Sequence, residues 1–138
     1  MTRILVTGGS GFLGAPLVER LAARGHEVHA ISSRDAPRPP GPVTWHRADL
    51  LAPEGADSVL ERVGPTHLVH LAWITTPGAY WTSLQNLAWV EASLGLARGF
   101  LERGGQRFVG AGTCAEYAWD GEPLSEEHTV ELSPHPLT

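Results

Sequence analysis

The 138-residue sequence contains no lysine and only one cysteine, Cys114. A single thiol cannot form an internal disulfide, so the composition fits a reducing compartment and predicts a cytoplasmic protein. No apolar run approaches the roughly 20 residues that cross a bilayer, and no signal-peptide pattern precedes the first apolar segment. The sequence therefore predicts neither secretion nor a membrane partner.

Positive charge is also scarce. Ten basic residues stand against 15 acidic ones, which gives a formal net charge of −5 at pH 7, and the arginines form no stripe. This pattern argues against a nucleic acid partner, because phosphate backbones are bound by clustered positive charge. A hydrophobic fraction of 42% with 18% charged residues is ordinary for one soluble globular domain with a real core.

Short strand-like segments alternate with segments of helical periodicity. Strands are predicted over residues 3–6, 27–31, 43–46, 67–72 and 106–110, and helices over about 13–24, 53–63 and 80–103. Strands separated by helices favour a parallel sheet covered on both faces, with right-handed crossovers. We therefore predict an α/β fold, a Rossmann-like doubly wound domain.

A glycine-rich segment, residues 7–14, joins the first strand to the first helix. It fits G-x-G-x-x-G from Gly9 and G-x-x-G-x-x-G from Gly8, and both patterns end at Gly14. Glycines allow a tight turn and let a diphosphate approach the backbone N–H groups at the positive end of a helix, while the last glycine lets the helix pack against the strand. The segment predicts a bound dinucleotide; the open alternative is a glycine-rich connection without a ligand. The predicted contacts are Gly8, Gly11, Phe12, Leu13 and Gly14.

The end of the second strand predicts which dinucleotide is bound. An Asp or Glu there would accept hydrogen bonds from the adenine ribose of NAD, but this sequence has Ser32, Ser33 and Arg34. Hydroxyls and a guanidinium suit a 2′-phosphate, so we predict a preference for NADP over NAD. Two alternatives stay open: Arg34 only solvates the start of a loop, or Asp35 reaches back to the ribose.

Together these motifs resemble the N-terminal portion of the extended short-chain dehydrogenase/reductase family, which includes NAD(P)-dependent nucleotide-sugar epimerases, dehydratases and ketoreductases. The resemblance covers the whole chain. It rests on the phosphate loop at 7–14, an aspartate motif at 48–50, the segment 70–73, Asn86 in the third helix, and 112–117 after the fifth strand.

The resemblance implies further cofactor contacts. Asp49 would accept the adenine amino group, with Leu50 beside it, although Asp49 could instead cap the following turn. The segment after the fourth strand would pass beneath the ribose and nicotinamide, through Leu71, Ala72 and Trp73. Trp73 departs from the more usual Ala or Gly.

The resemblance also implies active-site residues. Thr113 falls on the position of the catalytic hydroxyl, and Asn86 on a position near the active site and the cofactor. The alternative for Asn86 is a solvated helix residue. We expect His70 to be a satisfied histidine at a strand end rather than a general base, and we expect no metal site.

One departure concerns the proton-transfer residues. Family chemistry uses a Tyr with a Lys four residues later, because a tyrosine needs a neighbouring cation to act as a base at neutral pH. Here Tyr80 and Tyr117 are followed at that distance by Leu84 and Gly121. We therefore expect residues 1–138 to be an incomplete NAD(P)-binding Rossmann domain, truncated after about the fifth strand and without the family's C-terminal substrate domain.

Two functional hypotheses follow. In the first, the chain is the cofactor-binding half of an enzyme acting on a nucleotide-activated sugar, and is inactive alone. In the second, it is a non-catalytic dinucleotide-binding or sensing module. A homodimer through residues 80–103 is a further expectation from the resemblance.

Overall fold

The computed structural model describes residues 2–33 and 41–113, and the structural statements below concern those residues. They form five strands and three helices. In chain order these are β1 (Arg3–Thr7), α1 (Gly14–Ala23), β2 (Glu27–Ser32), β3 (Val43–Arg47), α2 (Gly55–Val63), β4 (His67–His70), α3 (Gln85–Glu102) and β5 (Arg107–Gly110).

The strands form one parallel sheet in the order β3-β2-β1-β4-β5. In the central strand β1, Ile4 pairs with Val28 of β2 on one side and with His67 of β4 on the other. The chain therefore reverses direction across the sheet next to β1, and such a switch point opens a crevice at the carboxyl ends of the strands. The predicted Rossmann-like fold is confirmed.

Each face of the sheet has its own core, because successive side chains of a strand point to opposite faces. On one face Val18 of α1 packs against Ile4, Val6, Val28 and Ala30. On the other face α2 and α3 cover the sheet. The buried residues of that second core are Leu5, Ile31, Leu50, Val59, Leu60, Val63, Leu68, Leu96 and Phe100.

Predicted and observed boundaries differ by at most two residues except at the start of the third helix, and two of the differences have a visible cause. The third helix was predicted from residue 80 but begins at Gln85, because the chain from Thr76 makes turns in which the Ala79 and Ser83 N–H groups donate to the Thr76 and Ala79 carbonyls. The fourth strand was predicted to residue 72 but ends at His70. The Leu71 N–H still reaches the Thr7 carbonyl of β1 at 3.3 Å, but it also donates to the Thr7 hydroxyl, and the Ala72 N–H donates to that hydroxyl.

Helix α3 is the longest helix in the described part of the chain, with 18 residues. Within those described ranges, no helix combines the length and apolar character that a bilayer crossing requires.

Candidate functional site

A cleft of about 610 Å³ lies at the carboxyl ends of β1, β2 and β4. It is lined by the glycine-rich segment, the end of β2 and the loops after β3 and β4. Twelve of the predicted cofactor contacts line this cleft: Gly8, Gly11, Phe12, Leu13, Gly14, Ser32, Ser33, Asp49, Leu50, Leu71, Ala72 and Trp73.

The glycine-rich segment forms a tight turn over the start of α1. Gly8 has a φ of 67°, and the Gly11 N–H donates to its carbonyl at 3.0 Å. A Cβ at Gly14 would overlap that same carbonyl oxygen and lie 2.7 Å from the Gly9 Cα, so the helix can start here only with glycine. The prediction had Gly14 packing the helix against the strand, whereas the close contact in the structure is with the backbone of the turn at Gly8 and Gly9.

The turn carries no charged side chain, but the positive end of the α1 dipole lies at it. The first turn of α1 carries no acidic residue, so no side-chain charge neutralises the positive end of its dipole. Among the described residues that line the cleft, none is Lys or Arg, and Asp49 is the one carboxylate. An anion in this cleft would therefore be held by backbone N–H groups and the helix dipole.

The cleft has a polar end beside β2 and β3. The buried Ser32 hydroxyl hydrogen-bonds the Ser10 hydroxyl at 3.1 Å, whereas Ser33 is exposed. Asp49 is also exposed, and its Oδ1 accepts the Leu51 N–H at 3.0 Å. Asp49 therefore caps the following turn and also lines the cleft. Arg34, predicted to read a 2′-phosphate, lies outside the described residues.

The opposite end, beside β4, is anchored by Thr7. Its Oγ1 accepts the backbone N–H groups of Leu71 and Ala72, both at 3.1 Å, and lies 2.7 Å from Nδ1 of His70. A hydroxyl that already accepts two hydrogen bonds offers its own proton to the third neighbour. Thr7 therefore donates to His70 and fixes the start of the loop after β4.

This arrangement sets the protonation of His70. Since Nδ1 accepts a hydrogen bond from the Thr7 hydroxyl, the ring hydrogen lies on Nε2, which donates to the Ser93 hydroxyl at 2.8 Å. Burial lowers the pKa of His70 and so favours this neutral form. Both nitrogens are thus satisfied inside the protein, which confirms the expectation that His70 is a structural strand-end histidine.

Aromatic side chains form the wall of the cleft beyond the Thr7 anchor. Trp73 keeps 42% of its surface exposed, and its ring lies 6.0 Å from that of Trp89, centre to centre. Trp89 in turn packs against the core under α3. The indole of Trp73 is therefore partly open and is supported by the ring of Trp89, which lines the cleft as well.

Two predicted residues do not line the cleft. Asn86 stands in the first turn of α3, where its side-chain amide donates to the Tyr80 carbonyl at 2.7 Å and holds the preceding turn. Thr113 follows β5 at the same edge of the sheet as the cleft. Cys114 and Tyr117, which belong to the same motif, lie outside the described residues.

Five lining residues were not predicted: Ser10, Ile31, Ala48, Thr75 and Trp89. Ser10 and Ala48 lie inside the motifs at 7–14 and 48–50, and Ile31 directly precedes Ser32, so these three could have been found from the same local signals. Thr75 and Trp89 carry no such local signal. Among the residues described, no group of three or more His, Cys, Asp or Glu side chains is placed to hold a metal ion.

The glycine turn, the switch point and the order of the strands agree with what a family comparison finds. Residues 4–138 match the model of the NAD dependent epimerase/dehydratase family. The chain belongs to this family. In this structure the turn over α1 depends on its glycines, because a Cβ at Gly14 would overlap the Gly8 carbonyl oxygen.

Known proteins of related sequence or fold are considerably longer than the chain. A 3-beta-hydroxysteroid dehydrogenase of Mycolicibacterium neoaurum is 33% identical over 115 residues, which are 78% of this chain and 31% of that protein. The UDP-glucose 4-epimerase of Thermus thermophilus, solved with NAD, is 29% identical with a TM-score of 0.76. The match covers 93% of this chain and 44% of the epimerase chain. MoeE5, solved with UDP-glucose and NAD, is 28% identical with a TM-score of 0.71. The match covers 91% of this chain and 41% of the MoeE5 chain.

Proposed function

We propose that this chain is the cofactor-binding half of an NAD(P)-dependent enzyme that epimerises, dehydrates or reduces a nucleotide-activated sugar. The observation that carries the proposal is the glycine turn over α1, opening into a cleft with one polar and one aromatic end. Two structural relatives, a UDP-glucose 4-epimerase with NAD and MoeE5 with UDP-glucose and NAD, support the substrate class.

From the fold we propose the direction in which the dinucleotide lies along the cleft. In doubly wound domains the diphosphate lies at the first helix and the adenine ribose at the end of the second strand. The adenosine half would then face Ser33 and Asp49, with Asp49 accepting the adenine amino group. The nicotinamide half would face the segment from Leu71 to Trp73.

We further propose a preference for NADP, although the relatives named above were solved with NAD. The support is chemical: at the end of β2, where an Asp or Glu would repel a 2′-phosphate, the sequence has the exposed hydroxyl of Ser33 followed by Arg34. Parallel calorimetric titrations with NADPH and NADH test this. We expect tighter NADPH binding that Arg34→Ala removes; equal affinities, or tighter NADH, would contradict it.

The bound nicotinamide would supply a hydride acceptor or donor. Thr113, at the carboxyl end of β5, would hydrogen-bond the reacting oxygen of the substrate. Since the sequence has no lysine, the Tyr–Lys pair that moves the proton is proposed to lie in a longer protein, outside residues 1–138.

The absence of lysine also supports a second candidate, a dinucleotide-binding module without catalysis. The two candidates differ in turnover by the full-length protein. With NAD(P) present, we expect conversion of UDP-glucose or a related sugar nucleotide by the full-length protein and none by the 138-residue chain. A hydroxysteroid is the second substrate to assay, since one relative is a 3-beta-hydroxysteroid dehydrogenase. No turnover of either class by the full-length protein would favour the binding module.

A homodimer through α3 is a further proposal. Leu87, Val90, Leu94 and Leu101 are exposed and lie on one face of this helix. An apolar stripe of this kind fits a second copy of the same helix. Sedimentation should give a dimer that Leu94→Glu dissociates, whereas a wild-type monomer at high concentration would contradict the proposal.

A cytoplasmic location is proposed as well, since one cysteine in the whole sequence fits a reducing compartment. Fractionation of cells that express the protein tests it. Recovery in the cytosolic fraction is expected, and recovery with membranes or medium would contradict it.

A further inference from the structure

Trp73 is held in place from two directions. On one side, Trp89, which also lines the cleft, packs against its ring and against the core of α2 and α3. Before it in the chain, the backbone N–H of Ala72 is bound by the buried Thr7 hydroxyl. The indole therefore has little freedom, although 42% of its surface is open.

Trp73 lines the cleft, which separates it from Trp81. Trp81 is more exposed than Trp73, at 68%, but it does not line the cleft. Phe12 also lines the cleft and is exposed, but it belongs to the glycine-rich segment and not to the β4 end. At the β4 end the described lining contains no charged side chain, and the carboxylate of Asp49 belongs to the opposite end. Trp73 is exposed and Trp89 only partly so, which makes the electron-rich indole of Trp73 the most open aromatic group offered to a ligand at this end.

We propose that Trp73 makes the cleft discriminate between the two redox states of the cofactor, binding the oxidised form more tightly than the reduced form. This inference rests on the proposed function, which places the nicotinamide at this end. Oxidised nicotinamide is a pyridinium cation, and reduced nicotinamide is a neutral dihydropyridine. The quadrupole of an indole attracts a cation over its face, whereas both redox forms make similar apolar contact with it.

The consequence concerns the redox state of the cofactor that is bound in the resting enzyme. A site that favours the cationic ring holds the cofactor ready to accept hydride. Trp73 would thus be a positioning and specificity-determining residue toward the cofactor, and no proton or bond exchange passes through it.

The test is the ratio of two dissociation constants, measured by calorimetry for oxidised and reduced cofactor on the full-length protein. We expect Trp73→Leu to weaken the oxidised form about tenfold relative to the reduced form. Trp73→Phe should give an intermediate ratio, because a benzene face attracts cations less strongly than an indole. Trp81→Leu, which removes an exposed indole outside the cleft, should leave the ratio unchanged.

A spectroscopic readout accompanies the binding measurement. An indole stacked on a pyridinium produces a broad charge-transfer absorption, so adding oxidised cofactor should produce this band in the wild type and in Trp81→Leu but not in Trp73→Leu. If Trp73→Leu weakens both forms equally and the wild type shows no such band, the inference is overturned while the proposed function stands. If the wild type binds neither form, the proposed function fails as well.

Discussion

The two ends of the cleft are built differently. At the polar end, Ser33 and Asp49 are exposed on loops that follow β2 and β3. At the aromatic end, the loop after β4 is tied to the interior by Thr7, and Trp73 is supported by Trp89. The polar end can therefore change its side chains without disturbing the fold, whereas a change at the aromatic end reaches the core.

The largest expected effect is at the turn between the two ends. A Cβ from Gly14→Ala would overlap the Gly8 carbonyl, so we expect a loss of about 3 kcal/mol in the free energy of unfolding and no measurable cofactor binding. Gly95→Ala is the matched control, since nothing lies within 4 Å of a Cβ there and the change should stabilise α3 by about 0.5–1 kcal/mol. Calorimetry and urea unfolding measure both. Normal binding by Gly14→Ala would contradict the geometry of the turn.

Thr7→Val tests the anchor of the aromatic end. Valine keeps the shape but leaves the Ala72 N–H without its acceptor and His70 Nδ1 without its donor, whereas the Leu71 N–H keeps the Thr7 carbonyl; the change should cost about 1–3 kcal/mol of unfolding free energy. Thr7→Ser keeps the hydroxyl and should lose less. Equal losses in urea unfolding of the two variants would show that the methyl group, and not the hydrogen bonds, carries the role of Thr7.

Acid should weaken the same anchor. Burial holds the pKa of His70 below the ordinary value of 6.5, so the unfolded chain takes up this proton at a higher pH than the folded protein. The contribution of neutral His70 to the free energy of unfolding is therefore fully present above pH 6.5. It falls as the pH drops toward the folded pKa, by at most about 1.4 kcal/mol per pH unit.

Urea unfolding between pH 7.5 and 5.5 measures this fall, and His70→Gln should flatten it. Part of the dependence of unfolding free energy on pH should remain in His70→Gln because of His46, whose pKa is lowered by burial and by the nearby His29 and Arg62. The lowered pKa of Glu27, caused mainly by hydrogen bonds from His29 and Arg3, acts only below its ordinary value of 4.5. An unchanged slope in His70→Gln would contradict the role of His70.

The smallest expected effect is at the polar end. Asp49→Asn keeps an oxygen to accept the Leu51 N–H, so unfolding free energy should change by less than about 0.5 kcal/mol. Cofactor affinity should fall about tenfold if the carboxylate accepts the adenine amino group. Glu19→Gln, on the exposed surface of α1, is the charge-matched control. An unchanged affinity would leave Asp49 with only its turn-capping role.

The same contrast explains what the sequence could predict. The glycine turn and the alternation of strands and helices are local patterns, so the fold and the lining from the glycine turn and the end of β2 followed from the residues themselves. The lining at Asp49, Leu50 and residues 71–73 was expected only from the family resemblance. The anchor of the aromatic end joins Thr7 to His70, 63 residues later, and Trp89 reaches the cleft only through the packing of α3. The late start of α3 at Gln85 depends on turns from Thr76 that mimic helical spacing.

The central claim is that the cleft binds a nicotinamide dinucleotide in one direction. A crystal structure of the protein with oxidised cofactor tests it most directly. We predict the diphosphate at the Gly8–Gly14 turn, adenine beside Asp49 and nicotinamide beside Trp73. A cofactor bound in the reverse direction, or outside this cleft, would contradict the account.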